Sequence, residues 1–155
     1  MDLGRLTGRQ HWRHPPGGAT LVRMTDSRPA IRATSITIMA PAPRALSTFY
    51  AALLGTEVRA SEPAGPGEPA EAGWAQLRAG SMTINVEWER EWVAPVWPAT
   101  PGAQHSTQHL DLHVDDLPAA TAWALECGAT LAADQPQDDI RVLFDPAGHP
   151  FCLFT

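Results

Sequence analysis

The stretch Gln108-His109-Leu110-Asp111-Leu112-His113-Val114-Asp115-Asp116 decides the fold of this chain. From position 108 to position 114, polar and apolar residues alternate with period two, which predicts a β-strand. One face of that strand carries His109, Asp111 and His113, and the other carries Leu110, Leu112 and Val114. The apolar face is suited to a core, so we expect the polar face to serve chemistry or ligand binding.

A matching pattern appears 73 residues earlier in the chain, where Gly55 superposes on Gly128. Each glycine follows a helical pattern and is placed as the C-terminal stop of that helix. Each helix is preceded by one predicted strand and followed by three. The elements are expected at about 34–40, 44–54, 56–60, 74–78 and 82–89, and again at about 107–114, 118–127, 130–132, 140–144 and 151–154. The sequence therefore predicts one βαβββ unit written twice.

The chain divides by composition into an arm and a domain. Residues 1–32 hold six arginines and two acids, with prolines and glycines and no sustained period, which is typical of an extended arm. Residues 33–155 hold five arginines and fifteen acids. Within this domain we expect module one at about 33–92, a linker at about 93–105 and module two at about 106–155.

Composition also limits the function. The acidic domain disfavours nucleic acid and anionic membranes as partners and favours neutral or cationic small molecules. The chain has no lysine, which excludes Schiff-base chemistry and a phosphate-loop lysine. Its two cysteines, Cys127 and Cys152, lack the spacing of a disulfide framework or zinc knuckle. No secretory or membrane-spanning pattern is found, so we expect the protein in the cytoplasm.

Four linked motifs carry a resemblance to a known family. They are Phe49-Tyr50-Ala51-Ala52-Leu53-Leu54-Gly55, Pro95-Val96-Trp97-Pro98, the stretch from His109 to Leu117, and Asp145-Pro146-Ala147-Gly148-His149-Pro150-Phe151-Cys152-Leu153. In this order they resemble the glyoxalase-like branch of the vicinal oxygen chelate superfamily, which includes glyoxalases, bleomycin-resistance proteins and extradiol dioxygenases. The resemblance covers about residues 33–155. It implies an α+β fold in which the mixed sheets of two βαβββ modules curl around a shared cavity.

The resemblance also implies a divalent metal, held by a histidine on the first strand and a glutamate on the last strand of each module. His109 matches one histidine position, but Ser35 stands at the other. Glu87 is the carboxylate nearest one glutamate position, and Cys152 occupies the other. A hydroxyl is a poor ligand and a thiolate is a soft one suited to zinc. We therefore favour no metal and no cofactor; a divalent metal held by His109 and Glu87 is the alternative.

The candidate site follows from the strand faces and the tryptophans. We expect one cavity lined by Ser35, Thr37, Asn85, Glu87, His109, Asp111, His113 and Cys152, in which His109 and Glu87 are the candidate acid/base pair. Trp88 and Trp92 lie among acidic residues near the linker and are expected to stack on a planar or cationic ligand. They are alternatively placed to cover the seam between modules or a dimer interface. Phe49, Tyr50 and Trp123 are expected in the core.

Three functions fit this sequence. The first is a small-molecule-binding protein with an incomplete metal site, similar to drug-sequestering bleomycin-resistance proteins and acting in drug or metabolite binding or resistance. The second is a lyase, isomerase or dioxygenase of the same superfamily that uses His109 and Glu87. The third is an assembly role, in which the basic arm docks on an acidic neighbour. A homodimer is expected.

Overall fold

The computed structural model describes residues 29–155, of which residues 33–155 form one compact unit. Residues 1–28, which contain most of the predicted basic arm, lie outside the described residues. The elements of the first half are β1 (Ser35–Ala40), α1 (Pro43–Leu53), β2 (Val58–Glu62), β3 (Trp74–Ala79) and β4 (Met82–Trp88). Those of the second half are β5 (Leu110–His113), α2 (Leu117–Cys127), β6 (Thr130–Leu131), β7 (Ile140–Phe144) and β8 (Pro150–Phe154).

Each half folds into a four-stranded mixed sheet. The first sheet has the order β1-β4-β3-β2 and the second the order β5-β8-β7-β6. In each sheet the first and last strands of the half pair in parallel, and the remaining pairs are antiparallel. This arrangement confirms the predicted α+β class with two βαβββ modules. Between residues 29 and 155, neither helix has the length and apolar composition needed to cross a membrane.

The apolar strand faces and α1 form a core that joins the two halves. On β4 the buried Ile84 and Val86 alternate with more accessible polar residues, as period two requires. From α1, the Phe49 ring meets the ring of Phe151 on β8 edge to face, with centroids 6.2 Å apart. Such aromatic pairs add about 1 kcal/mol beyond area burial. Residues from both halves therefore share one hydrophobic cluster.

The prediction that Trp123 is a core residue is wrong, because 48% of this residue is exposed. Helix α2 is apolar on most of its circumference, so its periodicity does not identify the inward face. The residues of α2 that are buried are Leu117 and Ala124. The Trp123 ring instead lies near the end of α1, where its Nε1 donates to the Leu53 carbonyl oxygen at 3.2 Å.

Strand β5 is shorter than its alternating sequence predicts, and His109 lies just before it. The first pair of β5 with β8 joins Leu110 to Phe151. One residue earlier, His109 would face Pro150, whose nitrogen carries no hydrogen for the ladder. The strand therefore begins at Leu110, and His109 belongs to the segment that enters it.

The turn between β7 and β8 packs against the linker. Gly148 in this turn has φ of +92°, a conformation that L side chains rarely adopt. A Cβ on Gly148 would lie 3.1 Å from the Ala94 Cβ, so the linker approaches the turn closely. This approach brings Trp92 beside His149, whose ring centroids are 4.7 Å apart.

Candidate functional site

The buried carboxylate of Asp145 collects four hydrogen bonds. Its Oδ2 accepts from the Tyr50 hydroxyl and from His149 Nδ1, each at 2.8 Å. Its Oδ1 accepts from the backbone N–H of Ala147 at 2.9 Å and from that of His149 at 3.0 Å. An ionised carboxylate offers about four acceptor sites. This carboxylate is therefore fully satisfied, although 0% of its side chain is exposed.

Tyr50 is a fixed donor in this cluster. Burial, followed by the charge and the hydrogen bond of Asp145, raises the pKa of Tyr50 well above its usual value. The phenol therefore stays protonated at neutral pH. Tyr50 lies on α1 in the first half and Asp145 in the turn of the second half, so this bond ties the two modules together.

A cavity of about 660 Å³ opens beside the cluster. It lies between β1, a segment at the start of the linker that includes Trp92, Val93 and Pro95, and residues 104–110, which lead into β5. Among the described residues, no Arg, Asp or Glu side chain lines it. Aromatic and apolar side chains do, together with imidazole, hydroxyl and amide groups, among them Met39, Trp92, Gln104, His109 and His149. A concave, largely apolar lining with a few polar groups is typical of small-molecule sites.

The predicted site residues are divided among several places. Thr37, Trp92 and His109 line the 660 Å³ cavity. Asp111 and His113 line a second cavity of about 750 Å³, which also contains Arg59 and Arg78. The remaining five line neither of these two cavities; they are Ser35, Asn85, Glu87, Trp88 and Cys152.

Neighbouring groups already occupy two of those five side chains. The Asn85 Oδ1 accepts from Gln76 Nε2 at 2.8 Å. The Arg90 guanidinium lies 5.1 Å from the centre of the Trp88 ring, in cation–π geometry. Arg90 thus covers one face of the Trp88 ring. Glu87 is exposed on β4.

The structure brings three possible metal donors together. Ligand atoms of His109, Asp111 and Cys152 all lie within 4.8 Å of one another. His109 Nε2 is 3.2 Å from Asp111 Oδ1, and Asp111 pairs with Cys152 across β5 and β8. Burial, followed by the charge and the hydrogen bond of Asp111, raises the pKa of Cys152 to about 11.

These donors do not fit the oxygen-preferring ion that the superfamily implies. Of the four expected positions, only His109 contributes to the group with the expected side chain, and Glu87 is absent from it. A thiol must lose its proton before it can bind a metal, and Asp111 opposes that loss. His109 and Asp111 are largely exposed side chains, so solvent as well as each other can satisfy their polar atoms.

Sequence reasoning missed Asp145 and His149 as site residues and placed Tyr50 only in the core. The signal available was a histidine four residues after the aspartate of a tight turn, a spacing that lets the two side chains meet. The decisive partner, Tyr50, is 95 positions away. No local pattern reveals such a pairing.

The paired mixed sheets define the class of this protein as one with the fold of the glyoxalase and bleomycin-resistance proteins. Within it, the chain belongs to the glyoxalase-like domain family, whose family model matches residues 35–154. The predicted resemblance is therefore confirmed. A search of the curated proteins finds no match to the chain.

Solved structures share this fold at low sequence identity. A fosfomycin resistance protein from Listeria monocytogenes, complexed with Mn(II) and 1S,2S-dihydroxypropylphosphonic acid, is 11% identical with a TM-score of 0.60; the match covers 79% of this chain and 90% of that one. A glyoxalase family protein from Enterococcus faecalis is 22% identical with a TM-score of 0.54, covering 81% and 97%. The antibiotic binding protein TnmS3 from Streptomyces sp. CB03234 is 18% identical with a TM-score of 0.51, covering 81% and 95%.

Proposed function

We propose that this protein binds a planar small molecule in the 660 Å³ cavity and does so without a metal ion. Its role would be to bind a drug or metabolite, and binding that sequesters a drug would confer resistance to it. The observation that carries this proposal is the cavity itself, which joins aromatic and apolar walls to imidazole groups and contains no charged Arg, Asp or Glu side chain of the described residues.

The donor set supports binding without a metal. Ser35 and Cys152 replace two expected ligands, and Glu87 lies outside the group formed by His109, Asp111 and Cys152. Among proteins with the same fold, one is described as an antibiotic binding protein. That description supports a sequestering role as one use of the fold.

The alternative is a lyase, isomerase or dioxygenase that uses His109 and Glu87. An acid/base pair must reach one substrate together. His109 lines the 660 Å³ cavity and Glu87 does not, which favours binding over turnover at this place.

The proposal includes a homodimer in the cytoplasm. The outer strand β2 has five exposed residues, among them the apolar Val58, which is 37% exposed. Unpaired strand edges of this kind favour pairing with another chain. Light scattering after gel filtration tests this part: a dimeric mass supports it and a monomeric mass contradicts it.

Calorimetric titration in the presence of EDTA tests the binding function, with 2-naphthol, acridine and ethidium as probes. We expect one-to-one binding of at least one probe, and recovery of that probe unchanged by chromatography. Trp92→Phe should weaken it roughly fivefold because a large stacking surface is lost. Trp123→Phe is the matched control, since Trp123 lies outside the cavity. Absence of binding by all three probes, or equal weakening in both variants, would contradict the proposal.

A further inference from the structure

We propose that His149 selects the ligand by accepting a hydrogen bond at Nε2 from an acidic hydroxyl, such as that of a phenol or enol. This inference rests on the proposed function, because it requires the 660 Å³ cavity to bind a planar molecule. It adds the chemical class of that molecule and names the atom that recognises it.

The first step is the position of the imidazole proton. His149 Nδ1 lies 2.8 Å from Asp145 Oδ2, and a carboxylate can only accept. Nδ1 therefore carries a proton, and the proposal takes the ring in its neutral form, which presents a lone pair at Nε2. The carboxylate is held in place by three further donors, from Tyr50, Ala147 and the His149 backbone, so its orientation is fixed.

The second step is the accessibility of Nε2. No described residue hydrogen-bonds to this atom, and it is not among the buried side-chain atoms that lack a partner. The His149 side chain is 19% exposed and lines the cavity. Nε2 is therefore open to a ligand, whereas His109 Nε2 in the same cavity is already 3.2 Å from Asp111.

The third step is the rigidity of the ring. The Trp92 ring lies against the imidazole at an interplanar angle of 52°, with centroids 4.7 Å apart. The adjacent linker residue Ala94 is packed against Gly148. The Trp92 ring and the Asp145 carboxylate thus hold the imidazole, and an acceptor held in place before binding loses little entropy when the ligand arrives.

The fourth step is the choice of donor. A carboxylate on Nδ1 makes Nε2 a stronger acceptor, since hydrogen bonds in a chain polarise one another. Such an acceptor gains most from an acidic O–H. No Arg of the described residues lines the cavity to pair with an anionic ligand, so a neutral hydroxyl on a planar apolar body fits better than a carboxylate. The adjacent Trp92 offers apolar area for that body.

The test compares 2-naphthol with 2-methoxynaphthalene, two probes that differ by one methyl group on the oxygen. Wild-type protein should bind 2-naphthol about tenfold more tightly, the range expected of one good hydrogen bond to a polarised acceptor. His149→Phe keeps a ring beside Trp92 but removes Nε2. This variant should bind 2-naphthol no more than about twofold more tightly than 2-methoxynaphthalene. Its affinity for 2-methoxynaphthalene should stay within about threefold of the wild-type value.

The outcomes separate this inference from the proposed function. Equal affinity of the wild type for both probes would overturn the role of His149 while leaving the binding function intact. Binding of neither probe would overturn the role of His149, and it would overturn the binding function as well if acridine and ethidium also fail to bind. A nitrogen NMR measurement on the wild type needs no variant: a proton on Nδ1 and none on Nε2 supports the inference, and a proton on Nε2, in the reverse tautomer or in the imidazolium, overturns it.

Discussion

The hydroxyl of Tyr50 donates to the carboxylate of Asp145 at 2.8 Å, in a fully buried contact between residues 95 positions apart. The first module supplies the donor and the second supplies the acceptor. This bond, the two backbone N–H groups and the His149 ring together satisfy the carboxylate. The cluster therefore contributes to stability and also orients the imidazole that faces the cavity.

Tyr50→Phe should lower the free energy of unfolding by about 1–3 kcal/mol, because it leaves one acceptor site of a buried carboxylate unpartnered. Urea unfolding followed by circular dichroism measures the change. Trp123→Phe, which removes a hydrogen bond from an exposed ring, is the control and should stay within about 0.5 kcal/mol of the wild type. Equal effects of both variants would contradict a special role for Tyr50.

The raised pKa of Tyr50 predicts a loss of stability at alkaline pH. The fold favours the neutral phenol, so this group's contribution is fully present below the unfolded value of about 10 and is lost as pH rises toward the higher folded value. Above pH 10 the unfolding free energy of the wild type should therefore fall more steeply than that of Tyr50→Phe. Parallel curves for the two proteins over that range would refute the prediction.

The fold was largely predictable from sequence, because period-two strands and glycine-stopped helices are local patterns. Helix α1 begins and ends within one residue of its predicted bounds. The two exceptions have physical causes that the local pattern does not contain. Pro150 lacks the N–H that would extend the β5–β8 ladder back to His109. Helix α2 is apolar on most sides, so its sequence does not indicate which side faces the core.

The site was less predictable, because its geometry depends on contacts between modules. The strand pattern correctly placed His109 and Asp111 on one face. The pairing of β5 with β8 then places Cys152 close to both of them. The Asp145, His149 and Tyr50 cluster depends on burial and on a pairing across most of the domain. Ligand binding by the predicted residues stays a prediction.

Cys152 should react slowly with iodoacetamide at pH 8, since a pKa of about 11 leaves roughly one thiol in a thousand ionised. Measurements in a Cys127→Ser background isolate this thiol. Asp111→Asn should speed the reaction severalfold, because it removes a negative charge that opposes ionisation, although burial is the larger cause and persists. Mass spectrometry follows the alkylation. An unchanged rate in the Asn variant would show that Asp111 does not influence Cys152.

Metal removal should have no effect on this protein. Protein purified without chelator is expected to hold well under one metal equivalent, because a raised pKa keeps the Cys152 thiol protonated beside His109 and Asp111 and leaves an unsuitable donor set. EDTA should leave the melting temperature unchanged within about 1 °C. Elemental analysis of wild type and His109→Ala provides the check. Stoichiometric metal in the wild type that disappears in the variant would contradict metal-free binding.

Gly148→Ala should destabilise the protein by about 1–2 kcal/mol and weaken ligand binding, because it strains the turn and pushes the linker from it. Gly67→Ala is the matched control: its φ of +82° resembles the +92° of Gly148, but an added Cβ there meets no atom within 4 Å. The backbone strain is therefore comparable, and the difference between the variants measures the contact with Ala94.

An Ala94→Gly background isolates that contact, since it removes the Cβ that the new methyl group would approach to 3.1 Å. In this background Gly148→Ala should lower the free energy of unfolding by about as much as Gly67→Ala does. The affinity for 2-naphthol should also recover, because Trp92 can again lie beside His149. If Gly148→Ala lowers the free energy of unfolding equally with and without the Ala94 methyl group, the turn does not position the linker. The stacking of Trp92 on His149 must then be maintained by other contacts.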